Sequence, residues 1–343
     1  MVTIAIVGAG MAGLTCGRIL QTAGHQVVWF EKSRGVGGRL ATRRLEAGSW
    51  VDHGLRYWAP QGSDLMVLTQ ELLNQRILRV WSAQGFLWEQ GLWERDFQVY
   101  CAEPGVNAIA KHLAQHCDIR RQHRVTALVN SGHDWTLTLD TPDGHRQFSA
   151  EIVVLAIPAP QVWSLLQPLD QAAADTVKAV EYEPCLSLMA NYERLPLAEP
   201  LEHQRGWHIT ARDDVLSWLS LDSSKPKEQP GVHALLLQSQ PEFAAVYFAK
   251  LDAAEPTAKL AAADQMLAAA KAIIPGLNLP QTYRLHGWRY SAVRQSYQAA
   301  YLMTRWPNLL SCGDWCSIDE QTNLDAAYRS GRSAAEKLLE KLD

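Results

Sequence analysis

The 343-residue chain has no stretch approaching the roughly 18 apolar residues that a membrane span needs, which excludes a helical membrane protein. It has no Asn-x-Ser/Thr sequon, and its six cysteines are scattered, so a secreted disulfide scaffold is excluded and reduced thiols in a cytoplasm are expected. No H-E-x-x-H, G-x-S-x-G or Cys/His zinc spacing occurs, and no metal is expected. Excess charge of either sign is also missing. A net charge of −4 leaves no electrostatic footprint for nucleic acid or an anionic membrane, and the cluster Arg120 to Arg124 reads as a solvated turn. The first apolar run begins at residue 3, so no leader peptide is expected. Phenylalanine is scarce (6) beside 13 tryptophans. Most of the indoles should fill the core, with three or four lining a slot for a flat ring.

What the chain has is a glycine-punctuated opening. Thr3 to Val7 reads as a buried strand and Met11 to Gly24 as the helix after it. Between them Gly8 allows a tight turn, Gly10 lets a pyrophosphate approach the backbone, and Gly13 lets helix and strand pack closely. The helix N-terminus at Met11, Ala12 and Gly13 offers N–H groups and a partial positive charge to phosphates. Val27 to Phe30 is a second strand, ending at Glu31 and Lys32, with Glu31 placed to accept from a ribose diol. The motif defines a dinucleotide site, with NAD and FAD both open at this point.

Further on, Gln61 to Leu78 and Gly105 to His116 read as helices. Arg124 to Val129, the alternating Trp135, Leu137 and Leu139, and Phe148 read as an antiparallel meander with a turn at Thr141 to Gly144. Ile152 to Ile157 is a fully apolar strand that returns the chain to the first sheet. Leu186 to Tyr192, Val215 to Leu221 and His233 to Gln238 look like strands, and the polar, Pro-bounded Ser223 to Pro230 like a loop. Ala258 to Ile274 is an Ala-rich helix stopped by Pro275-Gly276. Leu309 to Asp314 is a strand ending in Gly313-Asp314, and a long helix runs from Asn323 to the C-terminus.

Gly37-Gly38-Arg39 soon after Glu31 is unusual for a plain NAD dehydrogenase and resembles the glycine pair plus arginine of flavin amine oxidases. There it lies along the pyrophosphate. Gly313-Asp314 resembles the second FAD motif of those enzymes, whose Asp binds the ribityl chain, and the helix opened by Asn323, Leu324 and Asp325 resembles the one facing the flavin's pyrimidine end. Within that superfamily the chain resembles the renalases, above all their bacterial branch, nearly end to end though at low identity between motifs. Asp52-His-Gly-Leu-Arg-Tyr57 is similar to Asp-x-Gly-Ala-Gln-Tyr, and His123-Arg-Val-Thr126 to His-Arg-Val-Thr. Ile274-Pro-Gly-Leu277 and Cys312-Gly-Asp-Trp315 have family counterparts, and Trp288-Arg-Tyr-Ser291 is similar to Trp-Arg-His-Ser. Leu55-Arg56 departs from the family's Ala-Gln.

The resemblance implies an α/β fold. An FAD-binding Rossmann-like domain of the p-hydroxybenzoate hydroxylase/amine oxidase type (1–58, 100–160 and 282–343) is interleaved with an α+β substrate domain on a mostly antiparallel sheet (59–99 and 161–281). It places the backbone of Val125 at the adenine. It implies non-covalent FAD and oxidation of the 2- and 6-dihydro isomers of NAD(P), with electrons passed to dioxygen as hydrogen peroxide, a metabolite-repair activity. Hydride transfer of this kind needs positioning rather than an acid or base. Candidates for the substrate pocket are Arg56, Tyr57, His208, Trp218, Gln238, Trp288, Arg289 and Tyr290. Tyr57 and Trp288 would be aromatic walls, and His208 and Gln238 carboxamide partners. The alternatives are an amine oxidase or desaturase on the same fold and, from another class, a non-catalytic flavin sensor. Cys312 and Cys316 are expected to be packed thiols rather than a redox pair.

Overall fold

The chain begins as its glycines dictate, in β1 (Thr3–Val7), α1 (Met11–Thr22) and β2 (Gln26–Glu31). The computed structural model describes residues 1–45, 48–89, 92–95, 99–225, 233–318 and 323–342. A short hairpin of β3 (Thr42–Arg44) and β4 (Trp50–Asp52) follows, then α2 (Ser63–Asn74). β5 (Leu78–Trp81) pairs antiparallel with β8 (Val99–Ala102), and β6 (Gln84–Trp88) with β7 (Leu92–Arg95).

The chain then returns to the first sheet through α3 (Asn107–Leu113) and β9 (Asp118–Arg121). The expected meander is present as β10 (Arg124–Asn130), β11 (Trp135–Thr141) and β12 (Gly144–Ala150), a three-stranded antiparallel sheet. Next come β13 (Ile152–Leu155), α4 (Ala159–Leu166) and α5 (Gln171–Lys178), the last capped by Asp170, whose carboxylate accepts from Ala173 N–H. β14 (Glu181–Tyr192), β15 (Trp207–Ala211), β16 (Leu216–Leu221) and β17 (His233–Ser239) build the second large sheet. Two helices cover it, α6 (Pro241–Asp252) and α7 (Ala258–Ile273). Then β18 (Thr282–Gln295), β19 (Leu302–Met303), β20 (Leu309–Ser311) and α8 (Leu324–Leu342) complete the chain. The expected loop Ser223 to Pro230 lies outside the described residues from 226 onward. No helix of the described residues is long and apolar enough to cross a membrane.

The six-stranded sheet has the order β19-β20-β13-β1-β2-β9, parallel except at β19. Its middle strands are buried on both faces, as a helix-covered parallel sheet requires. Ile4, Ile6, Ile152 and Val154 face a core shared with α1, α2, α3 and α8, while Ala5, Val7, Val153 and Leu155 face one shared with α4, α5 and the meander. The period of two along each strand produces that division. α8 lies against α1 so closely that a Cβ at Gly331 would stand 2.3 Å from Ala12 O.

The seven-stranded sheet, β18-β14-β17-β16-β15-β6-β7, is antiparallel but for the β6–β15 pair. Its apolar face packs on α6 and α7. One segment sits differently from the sequence reading, which groups all of 282–343 with the nucleotide-binding pieces. β18 is hydrogen-bonded along β14 from Asn191↔Thr282 to Glu181↔Gln295 and so belongs to the second sheet. Its half-exposed, Arg-rich sequence has little apolar periodicity, and its place is set by the apolar partner beside it.

Candidate active site

Strand β1 delivers the chain into a turn at Gly8, whose φ of +103° an L side chain rarely adopts. A Cβ at Gly8 would meet Ala156 O at 2.5 Å, and one at Gly13 would meet Gly8 O at 2.1 Å, so strand, turn and helix are in direct backbone contact. At Gly10 the opposite holds: nothing lies within 4 Å of an added Cβ. α1 starts there with no side-chain cap and no acidic residue in its first turn, so the N-terminal field of Met11, Ala12 and Gly13 faces that space uncompensated.

Glu31 is buried (7% exposed) at the end of β2. Its carboxylate accepts from Ala9 N–H (3.0 Å) and Ser33 N–H (2.8 Å), which ties it to the glycine turn. His123 N–H donates to Glu31 O (2.9 Å) and so brings the start of β10, with Val125, to the same end of β2. Lys32 is beside them, its Nζ donating to Gln161 Oε1 at 3.3 Å, and burial holds its pKa below the ordinary value. An open N-terminus, an open glycine and a buried acceptor on the neighbouring strand fit an extended dinucleotide. These residues could hold the adenosine and pyrophosphate of such a cofactor.

Gly38 follows the Gly10↔Gly37 bridge, and Arg39 reaches across to the end of β20. Both arms of its guanidinium bond Asp314, Nη1 to Oδ2 and Nη2 to Oδ1, each at 2.7 Å, while Nη1 also donates to Ser291 O at 2.9 Å. Gly313 N–H donates to Ser330 Oγ at 3.0 Å, locking the Gly-Asp turn to α8. Asn323 caps α8 by accepting from Ala326 N–H at 3.2 Å, and Leu324 opens the helix. The Asp325 side chain turns to α2 and accepts from Gly62 N–H (2.7 Å) and Gln61 N–H (3.1 Å). Its carboxylate therefore works as a cap for α2, leaving main-chain groups as what this turn can offer a ligand.

A cleft of about 450 Å³ opens between the segment after β4 and the seven-stranded sheet. It is lined by Gly54, Leu55, Arg56 and Tyr57 from the segment after β4, by Glu183 to Cys185 of β14, by Ser217, by Gln238 to Pro241, and by Ser291 and Ala292 of β18. The structure thus brings Arg56, Tyr57 and Gln238 together. Arg56 Nε donates to Gln238 Oε1, its Nη2 lies 3.3 Å from Ser217 Oγ, and the guanidinium rests 4.7 Å over the Trp218 ring. Burial pushes the Arg56 pKa below its ordinary value, and Cys185 and Tyr57 offset this only in part.

The other pocket candidates are placed differently from the sequence expectation. The Gln238 amide is spent inside the protein, on Arg56, Ser187 Oγ (3.2 Å) and Gly54 O (3.2 Å), so it positions Arg56 instead of meeting a carboxamide. His208 does not line the cleft. It is 2% exposed and stacked on Trp218 (4.4 Å, 11°), on the wall side of Tyr57. Trp288 and Tyr290 are not among the lining residues either. The Trp288 indole donates to His53 O at 2.7 Å and packs against the His53 and His286 rings, so it braces the segment that carries Arg56 and Tyr57. Arg289 pairs with Asp252 at the surface. Among the described residues no tryptophan lines the cleft, and seven are fully buried, because β-sheet cores here take the large rings.

Sequence reasoning missed a buried charge cluster beneath the cleft. Lys225 (1% exposed) pairs with Asp222, lies 3.6 Å from Asp52 Oδ2, and donates to Arg56 O at 2.6 Å. Asp52 also accepts from Thr42 Oγ1 (2.7 Å) and Val106 N–H (2.9 Å), and its own N–H donates to Asp222 Oδ2 (2.7 Å). Burial raises the Asp52 pKa to about 6 against the pull of Lys225. Lys225 stays cationic because its two carboxylates outweigh burial. The residues come from β4 and from the turn after β16, and a lysine in a polar, Pro-bounded stretch carries no signal of burial.

All six cysteines are free. Cys312 and Cys316 are buried thiols, and burial raises Cys316 well above its ordinary value, while Cys16 is raised chiefly by its hydrogen bond with Cys312.

A glycine turn on a parallel sheet, a Gly-Asp turn paired with Arg39, and a cleft on a separate antiparallel sheet fit a two-sheet flavoprotein. Residues 6–72 match an NAD(P)-binding Rossmann-like domain and residues 94–339 match the flavin containing amine oxidoreductase family. The chain belongs to the flavin containing amine oxidoreductase family. It is 32% identical over 87 residues to 15-cis-phytoene desaturase of Synechococcus elongatus, covering 25% of this chain and 18% of that protein. It is 51% identical over 47 residues to L-amino-acid oxidase of Pseudechis australis, covering 14% and 9%. To 4-hydroxybenzoate brominase (decarboxylating) of Pseudoalteromonas luteoviolacea it is 26% identical over 153 residues, 45% and 25%. The chain therefore spans a quarter or less of these curated relatives. Putrescine oxidase bound to putrescine superposes over 99% of both chains at a TM-score of 0.72 and 13% identity, a likeness of fold.

Proposed function

We propose that the chain is a renalase-like oxidase that returns the 2- and 6-dihydro isomers of NAD(P) to NAD(P)+. The observation that carries this reading is the cleft itself. Four of its fourteen lining residues, Gly54 to Tyr57, belong to the Asp52–Tyr57 segment on which the resemblance rests most heavily. FAD, held non-covalently, would supply the redox chemistry, accepting a hydride (one proton and two electrons) from the dihydropyridine, with both electrons passing to dioxygen, which with that proton and one more from solvent becomes hydrogen peroxide. The protein's part is geometric. Tyr57 offers a flat wall, the Trp288 indole fixes the backbone beneath it through His53 O, and Gln238 fixes Arg56. Aromatisation of the substrate ring drives transfer, so no base is required, and the walls exclude water and set the ring's offset.

Amine oxidation is the second reading. Glu183 lines the cleft, where a carboxylate suits an ammonium group. Anaerobic stopped-flow reduction of the FAD-loaded protein separates the two. The expected result is fast reduction by 2- or 6-dihydro-NAD(P) and slow or no reduction by 4-dihydro-NAD(P) or amines. Hydride transfer falls steeply with a misplacement of about 1 Å, and carbon 4 lies across the ring from carbons 2 and 6. Trp288→Ala should then cost rate more than FAD affinity. Faster reduction by an amine would replace the first reading with the second.

A further inference from the structure

Among the described residues the guanidinium of Arg56 stands in the cleft without a counter-ion. Its Nε is taken by the neutral amide of Gln238 and its Nη2 by the neutral hydroxyl of Ser217, and its face rests on Trp218. Among the described residues Nη1 has no hydrogen-bond acceptor, its other two nitrogens taking both side-chain bonds. Arg39, at the opposite side of the same junction, shows the contrast, with both arms closed on Asp314. Glu183 lines the cleft as well, yet forms no ion pair with Arg56. Lys225 cannot share the task, since its charge is consumed by Asp222 and Asp52 below the cleft floor.

The supports of Arg56 are themselves fixed. Gln238 is held by Ser187 and Gly54 O, Ser217 Oγ lies within reach of Ser239 O at 3.0 Å, and Arg56 O is held by Lys225. A planar donor fork is therefore pre-oriented on neutral partners, and a charged fork half out of water without an anion is the arrangement an incoming oxyanion completes. We propose that Arg56 is the oxyanion-recognition residue of the substrate cleft, and that the substrate carries a carboxylate or phosphate which it engages. This rests on the cleft being the substrate site. It deepens the proposed function by making the negative charge of the substrate a condition of binding.

The test uses the FAD-loaded full chain and two probes at constant ionic strength, benzoate for a carboxylate and inorganic pyrophosphate for a phosphate. Binding is measured by calorimetry, with the visible flavin spectrum as a second signal. The expected result is one site per chain for at least one probe, weakened about tenfold or more in Arg56→Gln and partly restored in Arg56→Lys. Glu183→Gln should tighten the same probe severalfold by removing a like charge from the cleft. Equal FAD content and thermal midpoints certify that the variants are folded. Preference for pyrophosphate points to a nucleotide phosphate, and preference for benzoate to a carboxylate. Unchanged affinity in Arg56→Gln, or no stoichiometric binding of either probe, overturns the inference. The two proposals fail separately. Probes bound through Arg56 with dihydronicotinamides inert would sink only the function, while dihydronicotinamides oxidised at an unchanged KM in Arg56→Gln would sink only the inference.

Discussion

Arg39 and Asp314 are 275 residues apart in the chain and meet as a bidentate pair, 2.7 Å on each arm. The pair joins the loop after β2 to the turn after β20, two segments read from sequence as FAD contacts. A double-mutant cycle with Arg39→Met and Asp314→Asn, measured by denaturant unfolding of the apoprotein, should give a coupling of about 1–2 kcal/mol. The discount from a buried pair follows from Arg39, whose side chain keeps 34% of its surface in solvent. With FAD bound the coupling should shrink, because both groups gain a second partner. A coupling that ignores FAD would mean the pair is structural only.

Gly10 and Gly331 should respond oppositely to an added methyl. Gly10→Ala meets open space, so apoprotein stability should stay within about 1 kcal/mol, while FAD affinity falls because the phosphate loses its approach. Gly331→Ala would drive a Cβ into Ala12 O and should cost about 1–3 kcal/mol of stability with or without FAD. Thermal melts of both variants, with and without cofactor, read the two outcomes. A destabilised Gly10→Ala apoprotein would contradict the open cradle.

Glu31→Ala should weaken FAD binding by about 1.5–3 kcal/mol, the worth of charge-assisted hydrogen bonds. The rate of flavin reduction at saturating FAD should change little, since Glu31 is not among the residues that line the cleft. Retention of flavin through gel filtration reports the affinity. In the wild type, acid or heat should release all the flavin, and colour left on the precipitated chain would show a covalent link.

Acid should destabilise the fold through His53. Burial, with His286 and Arg43 nearby, lowers its pKa to about 3. The unfolded chain binds a proton near pH 6.5 that the folded chain refuses, so this contribution is full above about 6.5 and is lost as pH falls toward 3. Between pH 7 and pH 5 the wild type should lose about 2 kcal/mol more than His53→Gln. Asp52 works in the opposite direction over the lower part of that range, being raised by burial, and it cancels in the comparison. Matching slopes for the two proteins would remove His53 from the account.

The parts legible in the sequence are those whose structure is local. The β1–α1–β2 unit announces itself through glycine spacing and an acidic strand end, and the meander through alternation and a Thr-Pro-Asp-Gly turn. α8 is likewise written in its cap and its apolar face. The substrate sheet is not, because its order depends on which strand finds which partner across more than a hundred residues. Alternation names a strand but not its neighbour, so nothing in residues 282–295 announces their pairing with β14. The same limit hides Lys225, whose burial depends on Asp52 arriving from the other end of the molecule. Gln238 was legible as a cleft residue, but its amide's partners were not.

Lys225 and its two carboxylates set a rule for recombination. A chimera that exchanged residues 161–281 as a cassette for those of a distant relative would import Asp222 and Lys225, or their replacements, without the matching Asp52. A buried charge left without its partner costs about 3–5 kcal/mol, a large share of a typical domain's stability. Crossovers between this chain and its family should therefore survive where Asp52, Asp222 and Lys225 travel together from one parent, which makes these three positions one inherited unit although 170 residues separate the first two.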